Sequence, residues 1–331
     1  TNFNRDFLAK RKIAYIISGV LIVVSLISLF TNGLDQGVDF VGGRTYTVRF
    51  DKDVDANEIE QDLIATFESA EAKTLGANNQ LKITTKYKVE ETSTEVDNQI
   101  QEMLYNSLKQ NLPQGMTYED FKQESSDKQA GLMSNYKVSP TIADDIKQAS
   151  VWAVLGSLLV VFLYILLRFR RWQFSLGAVA AVFHDVLIVL GIFSLTYKFM
   201  PFNMEIDQAF IAAILTVIGY SLNDTVVVFD RIREYFNENE QWPMSKIINS
   251  ALSSTLSRTL NTSLTTLIVL LAIFIFAAPL RGFMFSLIIG VVVGTYSSLF
   301  IATPVMFDTV KKRGIDLKYK EKEELENDAT V

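Results

Sequence analysis

Residues 216–229 read TVIGYSLNDTVVVF, an apolar stretch with one acidic residue, Asp224, set inside it. An ionisable side chain within a membrane span costs about 2.5–3.5 kcal/mol even on a lenient insertion scale, so it is a functional candidate by default. Asp224 lies six residues before Asp230, about 9 Å inside that end at the helical rise. Ser221, Tyr220 and Val217 precede it by three, four and seven residues, on the same helical face. That face is small or polar for much of its length, which suits a protein interior better than lipid. The bland alternative is an Asp that glues helices together or holds a backbone donor.

A spanning helix needs roughly 20 mostly apolar residues, and the sequence offers six such windows. They run over 13–30, 151–167, 174–197, about 206–229, a fifth ending near Ala278 just before Pro279, and 283–307. The first has no small-residue cleavage site and five more spans follow it, so it reads as an anchor rather than a signal peptide. Of the 331 residues 49% are hydrophobic, which soluble chains approach; their concentration in long runs decides the class. With no cysteine there is no disulfide framework or thiolate metal site, and one histidine cannot make a histidine cluster. There is no G-x-x-x-x-G-K-[ST] loop and no metal-ligand spacing, so neither an enzyme nor a nucleotide-driven pump is expected, and no nucleic-acid partner.

Basic residues set the orientation. Arg5, Lys10, Arg11 and Lys12 precede the first span, and Arg168, Arg170 and Arg171 follow the second. Arg231, Arg233 and Lys246 lie between the fourth and fifth, and Lys311, Lys312 and Arg313 follow the sixth. With six spans all four ends fall on one side, which makes both termini cytoplasmic and places the segment 31–148 outside. The expected organisation is therefore 1–30 as N-terminus and first span, 31–148 as an external domain, 149–307 as spans two to six, and 308–331 as a charged cytoplasmic tail. Lysine and glutamate with little apolar content make 318–331 a frayed helix or a disordered tail.

The external segment holds 21 acidic and 12 basic residues, a balance that serves solubility. Residues 44–50 (RTYTVRF) alternate like a strand. The pattern predicts a helix over 57–70, a strand over 81–89 and a helix over 96–112, with weaker strands near 118–123 and 134–139. Alternating strands and helices suggest an α+β layer with helices on one face of a small sheet.

Other polar groups mark the spans. Arg258 opens the fifth, and Asn261, Thr262 and Thr265 follow at three, four and seven residues, one polar stripe that offers Asp224 a cation at similar depth. Arg258 reads equally as an interfacial arginine that snorkels to the headgroups. His184 and Asp185 fall near the middle of the third span, on or beside a small face through Gly177, Ala180 and Gly191. His184 is a proton relay or a hydrogen-bonded packing residue; Asp185 is a second candidate carboxylate. Gly290 and Gly294 form G-x-x-x-G in the sixth span, a close-packing motif.

Residues 219–234 (GYSLNDTVVVFDRIRE) resemble the signature of the SecF family. Three further matches stand in order: Asp39-Phe40-Val41-Gly42-Gly43 after the first span, His184-Asp185-Val186, and Arg258-Thr259-Leu260. At the second span the family's Val-Gly-Pro is replaced by Val138-Ser139-Pro140, which bears on any backbone conformation that needs glycine there. The resemblance implies a multi-pass bacterial inner-membrane protein with a ferredoxin-like periplasmic domain. It implies SecD as partner, in some bacteria on the same polypeptide, a start at Thr1 rather than Met being compatible with such a fusion. It further implies association with the SecYEG channel and with an unfolded translocating polypeptide, each half resembling half of a resistance-nodulation-division transporter.

No resident cofactor is implied. The transported ion is H⁺, with Na⁺ left open, and the family's essential carboxylate and arginine map onto Asp224 and Arg258, with Asn223, Ser221, Asn261 and Thr262 beside them. Two rival functions stay open: a transporter half for a small molecule or lipid, which predicts an apolar ligand-sized pocket, and a passive assembly factor of the channel complex, which predicts that Asp224 and Arg258 are dispensable.

Overall fold

The computed structural model describes residues 6–91, 93–239 and 241–312; the expectation of a frayed tail over 318–331 lies outside them, as do Arg5 and Arg313. Six helical rods are long and apolar enough to cross a bilayer. α1 (Arg11–Thr31) follows one 3₁₀ turn, α6 spans Pro140–Phe169, α7 Trp172–Thr196, α8 Gln208–Glu238 and α9 Met244–Phe276. The sixth rod is broken: α10 (Arg281–Ser297) passes through a π turn (Ser298–Ala302) into α11 (Thr303–Lys312). Such turns arise where a side chain or neighbour disturbs the helical ladder. Here α7 presses on the turn, since a Cβ at Gly177 would collide with the Ala302 carbonyl oxygen.

α7 and α10 form the centre of the bundle, with α8 beside them, while α6 and α9 lie at its rim and turn most of their surface outward. Small residues let the central helices meet. A Cβ at Gly290 would fall 2.9 Å from the Val217 Cβ and one at Gly294 3.0 Å from the Ser221 Cβ, so α10 rests directly on α8. On α1 the buried positions are Ala14, Ser18, Ser25 and Ser28, a small stripe that packs on α7, where Gly191 meets Ser25.

Between α1 and α6 lies the external domain, in the order α2 (Val38–Val41), β1 (Gly43–Arg49), α3 (Ala56–Phe67), β2 (Ala70–Thr74), β3 (Gln80–Thr85), α4 (Thr94–Leu108), α5 (Tyr118–Lys122), β4 (Gly131–Val138). The sheet order is β2-β3-β1-β4 and every neighbouring pair is antiparallel. This is the split β-α-β arrangement of ferredoxin-like domains. α3 and α4 bury Ile59, Leu63, Phe67, Ile100 and Leu104 against one face of the sheet. Asp55 caps α3 by accepting from the Asn57 N–H at 2.8 Å, and Ser93 caps α4.

Two expectations need correction. The strand near 118–123 is the helix α5, because Thr117 and Asp120 form a reciprocal capping box that nucleates a helical turn. β2 is a strand the reading missed, since α3 ends at Phe67, with Glu68 left-handed (φ 60°), before the predicted end at 70. Ser139, where the family has glycine, sits at φ −71°, so no glycine geometry is required; its side chain caps α6.

The Leu63 side chain is fully enclosed. Leu63→Ala should destabilise the external domain by about 2–5 kcal/mol, read as a lower denaturant midpoint for proteolytic cleavage within 43–138 in the detergent-purified chain. An unchanged midpoint would mean that the domain core is not organised around α3.

Candidate functional site

Asp224 lies on the bundle-facing side of α8 and is 4% exposed. Its Oδ2 is buried without a hydrogen-bond partner. Arg258 is the charged group whose field acts on it, yet no ion pair joins the two among the described residues. Tyr220 donates to Thr266 at 3.3 Å and ties α8 to α9. Four residues along these antiparallel helices, Asp224 falls opposite about Thr262, one turn from Arg258. The arginine itself is exposed on the outer face of α9, with Asn261 and Thr265 beside it. Thr262 turns its hydroxyl back onto the Arg258 carbonyl at 2.9 Å. Asn223 points outward from α8. The polar stripe of α9 therefore faces away from this chain, although it runs through a span.

His184 and Asp185 belong to a different, fully partnered cluster. Asp185 Oδ1 meets His184 Nδ1 at 2.9 Å, and Asp185 Oδ2 accepts from Ser221 and Ser297, each at 2.7 Å. His184 Nε2 reaches Ser18 Oγ at 3.0 Å, and Ser18 reaches the Tyr296 hydroxyl at 3.2 Å. One buried network thus joins α1, α7, α8 and α10. A carboxylate buried among helices is tolerable only when its lone pairs are used, and Asp185 meets that condition where Asp224 does not. Ser18 and Ser297 escaped the sequence reading as members of this cluster. Small polar residues on the buried faces of their helices were the only signal.

Asp39, Gly42 and Gly43 knit the external domain to the bundle. Gly42 (φ 72°) and Gly43 (φ 152°) hold backbone that a side chain resists, and a Cβ on Gly42 would lie 3.2 Å from Pro140 at the start of α6. Asp39 Oδ2 accepts from the Gln208 N–H at the head of α8 at 3.0 Å, a favourable place for a negative charge. Asp39 Oδ1 accepts from the Tyr136 hydroxyl of β4; burial, and then that carboxylate, push the Tyr136 pKa well above the usual phenol value. Within the external domain Arg44 donates to Asp97 through Nε at 3.0 Å and Nη2 at 2.7 Å. Partial burial opposes the Asp97 charge, but Arg44 and Lys137 outweigh it and hold its pKa below the usual carboxylate range.

Among the described residues no group of three His, Cys, Asp or Glu stands together to hold a metal ion. An apolar cavity of about 300 Å³ opens between α6, α7 and the head of α8, lined by Leu34, Phe40, Val154, Leu190 and Phe210, with Lys147 at its edge.

Residues 118–312 match the family described as protein export membrane protein SecD/SecF, C-terminal, and residues 27–54 match the SecD/SecF GG motif. The chain belongs to the SecF family. That family lies within the resistance-nodulation-division superfamily. The chain is 44% identical to a protein translocase subunit SecF of Rhodothermus marinus over 93% of this chain and 94% of that protein. It is 33% identical to the SecF subunit of Haemophilus influenzae over 93% and 87% of the two chains. The crystal structure of SecDF from Thermus thermophilus, a translocon-associated membrane protein, superposes with a TM-score of 0.76 at 28% identity. That match covers 93% of this chain and 39% of the SecDF chain. The six spans and the open four-stranded external sheet are thus those of the SecF fold, a multi-pass inner-membrane architecture.

The two carboxylates should separate in a stability measurement. Asp185→Leu strands the hydroxyls and imidazole that now meet the carboxylate, each orphaned group costing about 1–3 kcal/mol, and should lower the Tm of the purified chain markedly. Asp224→Asn should leave the Tm within a degree or two, because no bond to Oδ2 is lost. Equal losses for both variants would show that Asp224, too, is a structural group.

Proposed function

We propose that this SecF-type subunit of Sec-dependent protein export is driven by the proton-motive force through Asp224, with Arg258 as its electrostatic partner. One observation carries the reading: a carboxyl group on the inner face of a spanning helix keeps an oxygen without a partner, beside a helix whose exposed arginine makes no ion pair among the described residues. Burial favours the protonated form of such a group and a nearby arginine favours the ionised form. A small change in the separation of α8 and α9 then shifts the balance, and a change in protonation shifts the separation. A charge crossing the membrane field is worth about 2.3 kcal/mol per 100 mV, enough to bias a two-state packing. H⁺ is the simplest ion for a site built on one carboxyl.

The outward stripe of Arg258, Asn261 and Thr265, with Asn223 beside it, is costly against lipid and fits a second membrane protein. SecD, joined to SecF in the SecDF structure, is the partner this reading assigns to that face. Contact with the SecYEG channel and with the emerging polypeptide belongs to the same reading, by analogy with the translocon-associated SecDF. So does the orientation with both termini cytoplasmic and the sheet domain outside, which the basic clusters at the span ends support.

A second reading, a transporter half for an apolar small molecule or lipid, draws on the cavity lined by Phe40, Val154 and Phe210. Filling that cavity with Val154→Trp should leave export intact if the first reading holds and should abolish function if the second does.

The deciding experiment depletes the native gene and complements it with wild type or Asp224→Asn. Maturation of an exported protein is followed by pulse-chase, with membrane levels of the chain and of SecD checked. Export should fall to the depleted level while both proteins accumulate. Normal export in the Asn variant would leave the assembly-factor reading in its place.

A further inference from the structure

Glu205 precedes α8 by three residues, at the external end of the bundle, and its side chain is only 4% exposed. A carboxylate so enclosed needs its charge met. It is met from the external sheet: Lys82 of β3 binds Oε2, and Lys73 of β2 lies 3.5 Å from Oε1. Lys73 also pairs with Asp35, just after α1, at 2.6 Å, and with Glu71 at 2.7 Å. Burial disfavours the Lys73 charge, but the hydrogen bonds to Asp35 and Glu71 and the charge of Glu205 outweigh it, holding its pKa above the usual lysine value.

The placement of the two lysines is unfavourable for the sheet alone. Lys73 and Lys82 stand directly opposite each other in the β2–β3 ladder, and like charges in that position destabilise a strand pair. They share the face turned away from α3 and α4, since Leu81 and Ile83, their neighbours in β3, fill the core on the other side. The repulsion is relieved by Glu71 within β2 and by two carboxylates that do not belong to the sheet, Asp35 and Glu205.

Around this ion cluster the backbone is tied as well. The Ile206 N–H donates to the Asp35 carbonyl at 2.7 Å and the Gly37 N–H to the Ile206 carbonyl at 3.0 Å, a short parallel bridge between the segment after α1 and the one before α8. A Cβ on Gly37 would lie 3.1 Å from Glu205 Oε2, so this segment passes close against the ion cluster. Two residues on, Asp39 holds both the head of α8 and Tyr136 of β4. The sheet is therefore fastened to the head of α8 from two of its strands through Glu205 and from a third through Asp39. Asp224 sits sixteen residues along α8 from Gln208, about 24 Å at the helical rise.

We propose that Glu205, with Lys73 and Lys82, is a fixed joint that makes the external sheet and α8 one mechanical body, so that displacement of the helix carrying Asp224 moves the sheet directly. Buried ion pairs contribute little net stability, and fixing register is their best-attested use; a joint requires a fixed geometry. The three are positioning residues for export, and their role rests on the reading of Asp224 given above.

The absence of cysteine from the chain makes the test clean. Cysteines at the exposed positions Glu58, on α3, and Lys198, after α7, are spin-labelled in the full chain reconstituted with SecD, and the distance distribution is measured by double electron–electron resonance. The unaltered joint should give one narrow distribution. Glu205→Gln should broaden it and slow export on the order of fivefold or more, the usual size of a lost coupling, with normal membrane levels. The charge swap Lys82→Glu with Glu205→Lys should restore both. If Glu205→Gln does not accumulate, Lys82→Gln serves in its place with the same two readouts.

A distribution that stays narrow in these variants overturns the joint. A broadened distribution with normal export overturns its role in transmission. Asp224→Asn is the separating control: it should abolish export with the distribution still narrow. Normal export in that variant sinks the proton-coupling reading while the distance result still reports on the joint.

Discussion

Contact between α10 and α8, possible only because Gly290 and Gly294 carry no side chain, is the constraint on which the bundle depends. It sets Ser221 and Ser297 close enough for both to donate to one oxygen of Asp185. The same approach positions the inner face of α8 that carries Asp224. In a low-dielectric interior, polar groups are either used or expensive. Asp185 is of the first kind and Asp224 of the second. Asp185 is saturated by three side chains from three helices and locks α7 to α8 and α10. Asp224, one helical turn beyond Ser221, retains an unused oxygen near α9, a rim helix that turns most of its surface outward.

That asymmetry divides the bundle into a fixed part and a part able to respond. α1, α7 and α10, with α11 beyond the π turn, are tied by small-residue contacts and by the network through Ser18 and His184. α9 is joined to α8 by the Tyr220 to Thr266 and Arg231 to Ser254 bonds, and to α10 by the Ser263 to Thr295 pair. At the opposite end of α8 the bonding is dense: Asp207 caps the helix, Asp39 accepts from its first turn, and Glu205 receives two lysines of the external sheet. The external end of α8 is thus held by ionic and backbone bonds.

The external domain shows where local patterns are easy to read and where they are not. β1, α3 and α4 were legible, because alternation in RTYTVRF and the apolar spacing of Ile59, Leu63 and Phe67 carry the period of the structure they form. β2 was not, since Ala70–Thr74 has a single buried residue, Ala72, and two charged ones, Glu71 and Lys73, which pair with each other while Lys73 also reaches carboxylates outside the sheet. α5 was misread as a strand because five residues are too short for a period, and only the Thr117–Asp120 cap declares the turn. Among the candidate residues, Asp224 announced itself by its cost in hydrocarbon. Glu205, Lys73 and Lys82 looked like ordinary surface charges until the fold enclosed them.

By itself the sequence determined the six spans, the presence of an external α+β domain and the unusual carboxylates. Each of these depends on composition and period along one segment, and hydrocarbon enforces them locally. Tertiary structure alone decided which carboxylate is satisfied, that the polar stripe of Arg258 and Asn261 faces outward, and that the sheet is pinned to the head of α8. Those outcomes depend on distances between residues far apart in the chain: Ser18 and His184 are separated by 166 positions, Lys82 and Glu205 by 123. Hydrogen bonds and ion pairs fall off over a few ångströms, so their partners are fixed only when the helices have packed.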